Sequence, residues 1–229
     1  MHTKVKYYGQ IKGENMRLRD IMNTNMITVT PDTPIREAGE LMQSNRIEHL
    51  PVLAKNNLVG LVTKDNLLRS RPSKSTTLSV WEMTTLVAKL KVKDIMVKNV
   101  ITATPDMTVE SAIALAQNKK IGCLPVMDGK KLVGIVTTNI FFLKILNPLL
   151  GIGEPGIRIT IHNISKTKDK QDIYGIITKN KANVITSIYM THPGTGQKDL
   201  TIHLDIEDAT VIVTALKTHG YNVEIKERN

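Results

Sequence analysis

D-I-M-N-T-N-M-I-T-V-T-P-D over Asp20 to Asp32 is answered 74 residues later by D-I-M-V-K-N-V-I-T-A-T-P-D over Asp94 to Asp106. The register continues without a slip: Ala38 falls on Ala112, Leu41 on Leu115, Pro51 on Pro125, Gly60 on Gly134 and Thr63 on Thr137. A constant offset of this kind marks one structural unit written twice. Within the first copy Ile27 to Thr30 is a short β-prone run ending at Pro31, whose missing N–H stops a ladder. Thr33 then offers an N-cap with Pro34 at the first helical position, and Ile35, Ala38, Leu41 and Met42 recur at helical spacing. Two strands follow, Leu50 to Leu53 and Leu58 to Thr63, with a hairpin turn at Lys55, Asn56 and Asn57, and a second helix starts near Lys64 and carries Leu67 and Leu68. The second copy runs the same way, with Asp128-Gly129 as its turn.

Each copy thus reads as strand, helix, strand, strand, helix. Two helices cover one face of a three-stranded sheet and leave the other apolar, so a copy of about 55 residues is marginal alone. Pairing the copies about a pseudo-twofold axis buries both faces and leaves clefts between them. Between the copies, Ser79-x-x-Glu82 has capping-box spacing, and Trp81, Leu86, Val87 and Leu90 form one side of a connecting helix. Trp81 is read as packing.

After Leu150 the run Gly151-Ile-Gly-Glu-Pro-Gly156 is a boundary. It spells G-x-G-x-x-G, but a strand follows it where a dinucleotide fingerprint needs a helix. Beyond it Arg158 to Asn163, Ile185 to Thr191, Leu200 to Asp205 and Val223 to Lys226 read as strands. Ile173, Ile176 and Ile177 mark one helix, and Ala209, Ile212, Val213 and Leu216, ending at Gly220, mark another. The order β-α-β-β-α-β is ferredoxin-like. The fold class is therefore α+β, divided as a mobile N-terminal extension (1–15), repeat one (16–70), a helical connector (71–91), repeat two (92–149), a linker (150–156) and a C-terminal domain (157–229).

Composition limits the function. One cysteine, Cys123, excludes a disulfide framework and a Cys-rich zinc site and fits a reducing cytosol. No apolar run approaches the roughly 20 residues of a membrane span, and the lysine-bearing start lacks the apolar core of a signal peptide, so a cytoplasmic location is expected. The net charge of +10 is spread over every segment rather than gathered in blocks, so nucleic acid is not the expected partner. His49, His162, His192, His203 and His219 are dispersed, none with an i, i+4 partner or a neighbouring carboxylate to suggest a metal ligand or general base. No P-loop, nucleophile elbow or other catalytic constellation appears, and neither a metal nor an enzyme activity is expected.

The motifs D-I-M, T-x-x-P-D, I-x-x-L-P-V and G-h-h-T at Gly60 to Thr63 and Gly134 to Thr137 resemble those of paired CBS domains forming a Bateman module. The tail resembles an ACT-type regulatory domain, and the whole order resembles acetoin-utilisation AcuB-like proteins. CBS pairs commonly sense adenosine-containing ligands, so the resemblance implies a regulatory protein binding AMP, ATP or S-adenosylmethionine between the repeats. It carries the phosphate to Thr63 and Thr137 at strand-to-helix junctions, where a hydroxyl and free helix N–H groups are offered. The family's ribose-binding aspartate is replaced by Asn66 and Ile140. His49 and Cys123 hold the position before L-P-V that faces phosphates. Asp65 would repel a polyphosphate unless a cation compensates; its counterpart Asn139 is neutral. At most one competent site is expected, around Thr63, Asn66 and His49, with the base against Ile27 to Val29, which includes Thr28, or against Ile101 to Ala103. Where amino-acid-binding ACT domains have a D-x-P-G turn, this chain has Asp169-Lys-Gln-Asp172, so a packing or dimerisation role is favoured for the tail and a homodimer is expected. The alternative is a structural or oligomerisation module without a ligand, its helix-junction threonines and asparagine acting only as caps.

Overall fold

The structure, a computed structural model, describes residues 16–70, 89–164 and 167–226. The expected N-terminal extension and the capping box, Trp81, Leu86 and Val87 of the connector lie outside the described residues. The chain divides into two compact units, 16–141 and 142–226 as described.

In the first unit helix Ile35–Ser44 leads into β1 (His49–Ala54), β2 (Asn57–Thr63) and helix Lys64–Arg69, and helix Val109–Lys119 leads into β3 (Cys123–Asp128), β4 (Lys131–Thr137) and helix Thr138–Phe141. β1 pairs antiparallel with β2, and β3 with β4, each with a bulge at the equivalent point, Val52/Leu53 and Val126/Met127. The turn at Lys55 and Asn56 has positive φ at both residues, and Gly129 at φ +57 serves the second hairpin. Thr33 does not cap its helix: its Oγ1 accepts from Thr30 N at 3.0 Å and Pro34 takes the N-cap position, whereas in copy two Thr108 caps by accepting from Ser111 N.

The expected first strand of each copy is reduced to one parallel bridge, Val29 to Val52 and Ala103 to Val126. Two prolines account for this. Val29 N donates to Pro51 O and Leu53 N to Val29 O. The next bonds of a parallel ladder would need N–H groups at Pro51 and Pro31, which have none; Pro125 and Pro105 do the same in copy two.

The copies exchange their lead-in segments. Helix Leu18–Ile21 precedes copy one but docks on copy two, with Leu18 N donating to Met107 O, Arg19 N to Pro105 O and Val109 N to Met16 O. Helix Val92–Ile95 returns the exchange, with Val92 N donating to Thr33 O, Lys93 N to Pro31 O and Ile35 N to Leu90 O. Bridges from Asn23 to Ile135 and from Val97 to Leu61 extend each sheet with residues of the other copy. The conserved offset explains the T-P-D turns: Asp32 is gripped by Lys91 at 3.0 Å and Lys93 at 2.9 Å, and Asp106 by Arg17 and Arg19. These pairs are exposed and add little stability. The buried part is larger, since Val92 belongs to the core of copy one with Val29, Ala38, Met42, Leu50, Val52 and Val62. Leu61, Ile135 and Cys123 then pack the two sheets face to face, flanked by Met26 and Val100.

In the second unit β5 (Ile157–His162), β6 (Val184–Thr191), β7 (Lys198–Leu204) and β8 (Asn222–Lys226) form one antiparallel sheet in the order β6-β7-β5-β8. Helices Thr167–Lys179 and Thr210–Thr218 contribute Ile173, Ile176, Ile177, Ile212, Val213 and Leu216 to a core with Ile159, Ile161, Ile202 and Leu204. Gly220, at φ +87, ends the second helix. Asp169 to Asp172 lie within the first helix rather than in a turn ahead of it, because Ile173, Ile176 and Ile177 need that helix extended N-terminally to reach the sheet. The expected isolation of the histidines is also corrected: strand pairing brings His162 Nδ1 to 3.1 Å from Asp199 and Nε2 to 3.5 Å from Glu224.

Candidate functional site

The seam between the two sheets opens, at the end of β2, into a cleft of about 370 Å³. One wall comes from copy one: Glu48, His49, Leu61, Thr63, Lys64 and Asp65. The opposite wall comes from 97–101 and 120–123, including Asn99, Ile101, Lys120, Gly122 and Cys123. A volume of this size lies within the roughly 300–1,000 Å³ of small-molecule pockets.

Thr63 stands where β2 ends and helix Lys64–Arg69 begins, and its local chemistry is self-contained. Thr63 N donates to Asn66 Oδ1 at 2.9 Å, its hydroxyl donates to the same oxygen at 2.8 Å, and Asn66 N donates back to Thr63 Oγ1 at 3.2 Å. Lys64 N donates to Glu48 O at 2.9 Å. The donors that the sequence offers to a phosphate are therefore largely occupied by the capping box itself. Asn66 serves Thr63 and is not among the residues lining the cleft. In copy two Thr137 Oγ1 accepts from Ile140 N at 3.4 Å.

The charges around the first wall are paired. Asp65 meets Arg69 at 2.7 Å, one helical turn on, and Glu48 meets Lys64 at 2.9 Å. Arg69 thus supplies the compensating cation that Asp65 requires. Lys64 holds the Glu48 carboxyl below its ordinary range. His49 is half-buried, and burial pushes its ring toward the neutral form against the pull of Glu48. Across the seam Gly122 has no Cβ, and one built there would stand 3.8 Å from His49 Nε2 and 3.6 Å from Thr138 Oγ1.

Cys123 is 4% exposed and burial pushes its thiol up to about 12. The thiolate is the nucleophile, so iodoacetamide at pH 8 is expected to leave the native protein unmodified and to alkylate it fully in denaturant. Native labelling within minutes, read by mass spectrometry, would show the thiol accessible and the seam open.

The cleft brings Thr63, Asp65 and His49 together. Thr28, Thr137 and Asn139 do not line it. The lining also contains Lys64, Asn99 and Lys120, which motif reading passes over. The offset carries a signal for two of them, because Asn25 answers Asn99 and Arg46 answers Lys120. Among the described residues no group of three or more His, Cys, Asp or Glu could hold a metal ion, and no helix is long and apolar enough to cross a membrane.

The CBS domain family matches residues 18–73 and 92–143. A homoserine O-acetyltransferase of Methanosalsum zhilinae is 33% identical over 127 residues, 55% of this chain but 23% of that enzyme, so the chain spans about a quarter of the length of such relatives. The CBS domain-containing protein YhcV of Bacillus subtilis is 32% identical over 120 residues, 52% of this chain and 78% of YhcV. Among solved structures, a protein assigned to acetoin utilization (AcuB) from Vibrio cholerae superposes with a TM-score of 0.51 at 26% identity, covering 62% of this chain and 99% of that one. The doubled motif, the exchanged lead-in segments and these matches agree: the chain belongs to the CBS-domain family and carries the domain twice in tandem.

Proposed function

We propose that the protein is a non-enzymatic regulator that binds an adenosine-containing metabolite in the cleft between its CBS domains, and that occupancy changes the relation of the two domains. The observation that carries this reading is a cleft of ligand size with both domains as its walls, so a bound molecule contacts both and biases any change in their angle. Apolar Leu61, Val97, Val100 and Ile101 offer a surface for a base, and Asn99, Thr63 and His49 offer hydrogen bonds to a sugar. The C-terminal unit, whose strand order suits an ACT-type domain, is the element that passes the change to a second copy or to another protein in the cytoplasm. Similarity to the Vibrio cholerae protein supports a link to acetoin or related carbon catabolism.

A second reading, a scaffold without a ligand, draws on the closed hydrogen-bond set of Thr63 and Asn66. Calorimetry and thermal shift with adenosine, AMP, ADP, ATP and S-adenosylmethionine separate the two, since a ligand of the folded state raises its melting temperature by mass action. Saturable binding is expected, weakened about three- to tenfold in Thr63→Ala, in line with the loss of one hydrogen bond. Flat responses to all five compounds would leave only the scaffold.

A further inference from the structure

The charged groups at the cleft are not equally available. On the first wall Lys64 is engaged by Glu48, and Arg69 behind it by Asp65. The helix start is engaged by its own cap, as Thr63, Lys64 and Asn66 donate to Asn66 Oδ1, Glu48 O and Thr63 Oγ1. On the opposite wall Lys120 lines the cleft, and among the described residues no carboxylate lies within ion-pair distance of it.

The backbone of Lys120 is unusual as well. It follows helix Val109–Lys119 in the left-handed conformation, φ +52 and ψ +46, where glycine or asparagine is the ordinary residue. Arg46, its counterpart in copy one, has φ +53. Both copies thus keep a long cationic side chain at a backbone conformation that disfavours one.

We propose that Lys120 recognises the anionic group of the ligand, and that this ligand is a nucleoside carrying a single phosphate rather than a polyphosphate. This rests on the reading of the cleft as an adenosine site. One uncompensated cation matches one phosphate, and the facing wall offers a further phosphate no free cation, since Lys64 is held by Glu48 and Arg69 by Asp65. A purely structural role, in which Lys120 complements the negative end of the helix, makes a different prediction.

The test is calorimetry of the full chain with adenosine, AMP and ATP, for the parent protein, Lys120→Gly and Lys120→Arg. Glycine suits the left-handed backbone, so the Lys120→Gly fold is retained and its melting temperature does not fall. AMP is expected to bind about tenfold tighter than adenosine, and ATP no tighter than AMP. Lys120→Gly removes the AMP advantage and leaves adenosine affinity unchanged, whereas Lys120→Arg keeps the advantage. Equal affinities for AMP and adenosine in the parent protein, an AMP advantage that survives in Lys120→Gly, tightest binding of ATP, or a Lys120→Gly variant that loses stability and both ligands together would each overturn the assignment of Lys120 while adenosine binding upholds the cleft. No binding of any of the three overturns both.

Discussion

Leu18→Ala is expected to destabilise the protein by about 2–5 kcal/mol, and to do so through copy two rather than the copy it precedes. Leu18 is fully buried in a helix of only four residues, Leu18–Ile21, which is too short to hold itself. Its backbone is tied to Met107, and Val109 is tied to its neighbour Met16. The equivalent residue of the second lead-in segment, Val92, belongs to the core of copy one. By the offset Leu18 fills the corresponding place in copy two, so truncation leaves a cavity there. Urea denaturation gives the magnitude and hydrogen exchange gives the location, with protection expected to fall first in β3 and β4. A loss below about 1 kcal/mol, or protection lost first in β1 and β2, would show that the lead-in segment is not part of the copy-two core.

The second large effect is expected at Gly134, where β4 passes beneath Met22 of the exchanged segment. A Cβ at Gly134 would overlap Met22 Sδ and stand 2.8 Å from its Cγ and 3.2 Å from its Cβ. The outer end of a methionine can swing away, but its Cβ moves only with the backbone, so Gly134→Ala must displace the lead-in segment. Overpacking of this kind costs about 1–3 kcal/mol. At Gly60 a Cβ would meet Met96 Sδ at 2.5 Å and also Val97 O at 3.1 Å, so the substitution is costly there too. Pairing Gly134→Ala with Met22→Gly, which removes the methionine Cβ, is expected to recover about 0.5–3 kcal/mol relative to the sum of the single changes. Simple additivity would mean that the glycine answers some need other than the methionine.

Much of the fold was legible because the duplication carries its own control: every feature read in one copy can be checked 74 residues away. The hairpins, the helices that follow them and the order of elements after Gly156 depend on local turns and apolar spacing, which act within a few residues. The site was legible in part. Thr63, Asp65 and His49 stand on the strand end and helix start that the motifs mark, and the structure places them on one wall. Asn66 reads equally well as a ligand or as a cap, since both uses need the same carboxamide oxygen. In the folded chain that oxygen receives two bonds from Thr63.

The sequence by itself determined that two like units exist, that their apolar sheet faces call for pairing, and that a single cysteine allows no disulfide framework within the chain, because periodicity, composition and residue type are read locally. Tertiary structure decided what depends on contacts between residues far apart in the chain. It sends Asp20-Ile21-Met22 to the other copy, stops each first strand between two prolines, sets His162 beside Asp199 and Glu224, and turns Lys120 toward a cleft whose facing wall belongs to a different repeat. Physically, a repeat period states what each unit resembles but not which partner's groups satisfy its open edge. Closure of the pseudo-twofold pair settles that by pairing each lead-in segment with the neighbour's unfilled backbone donors and core.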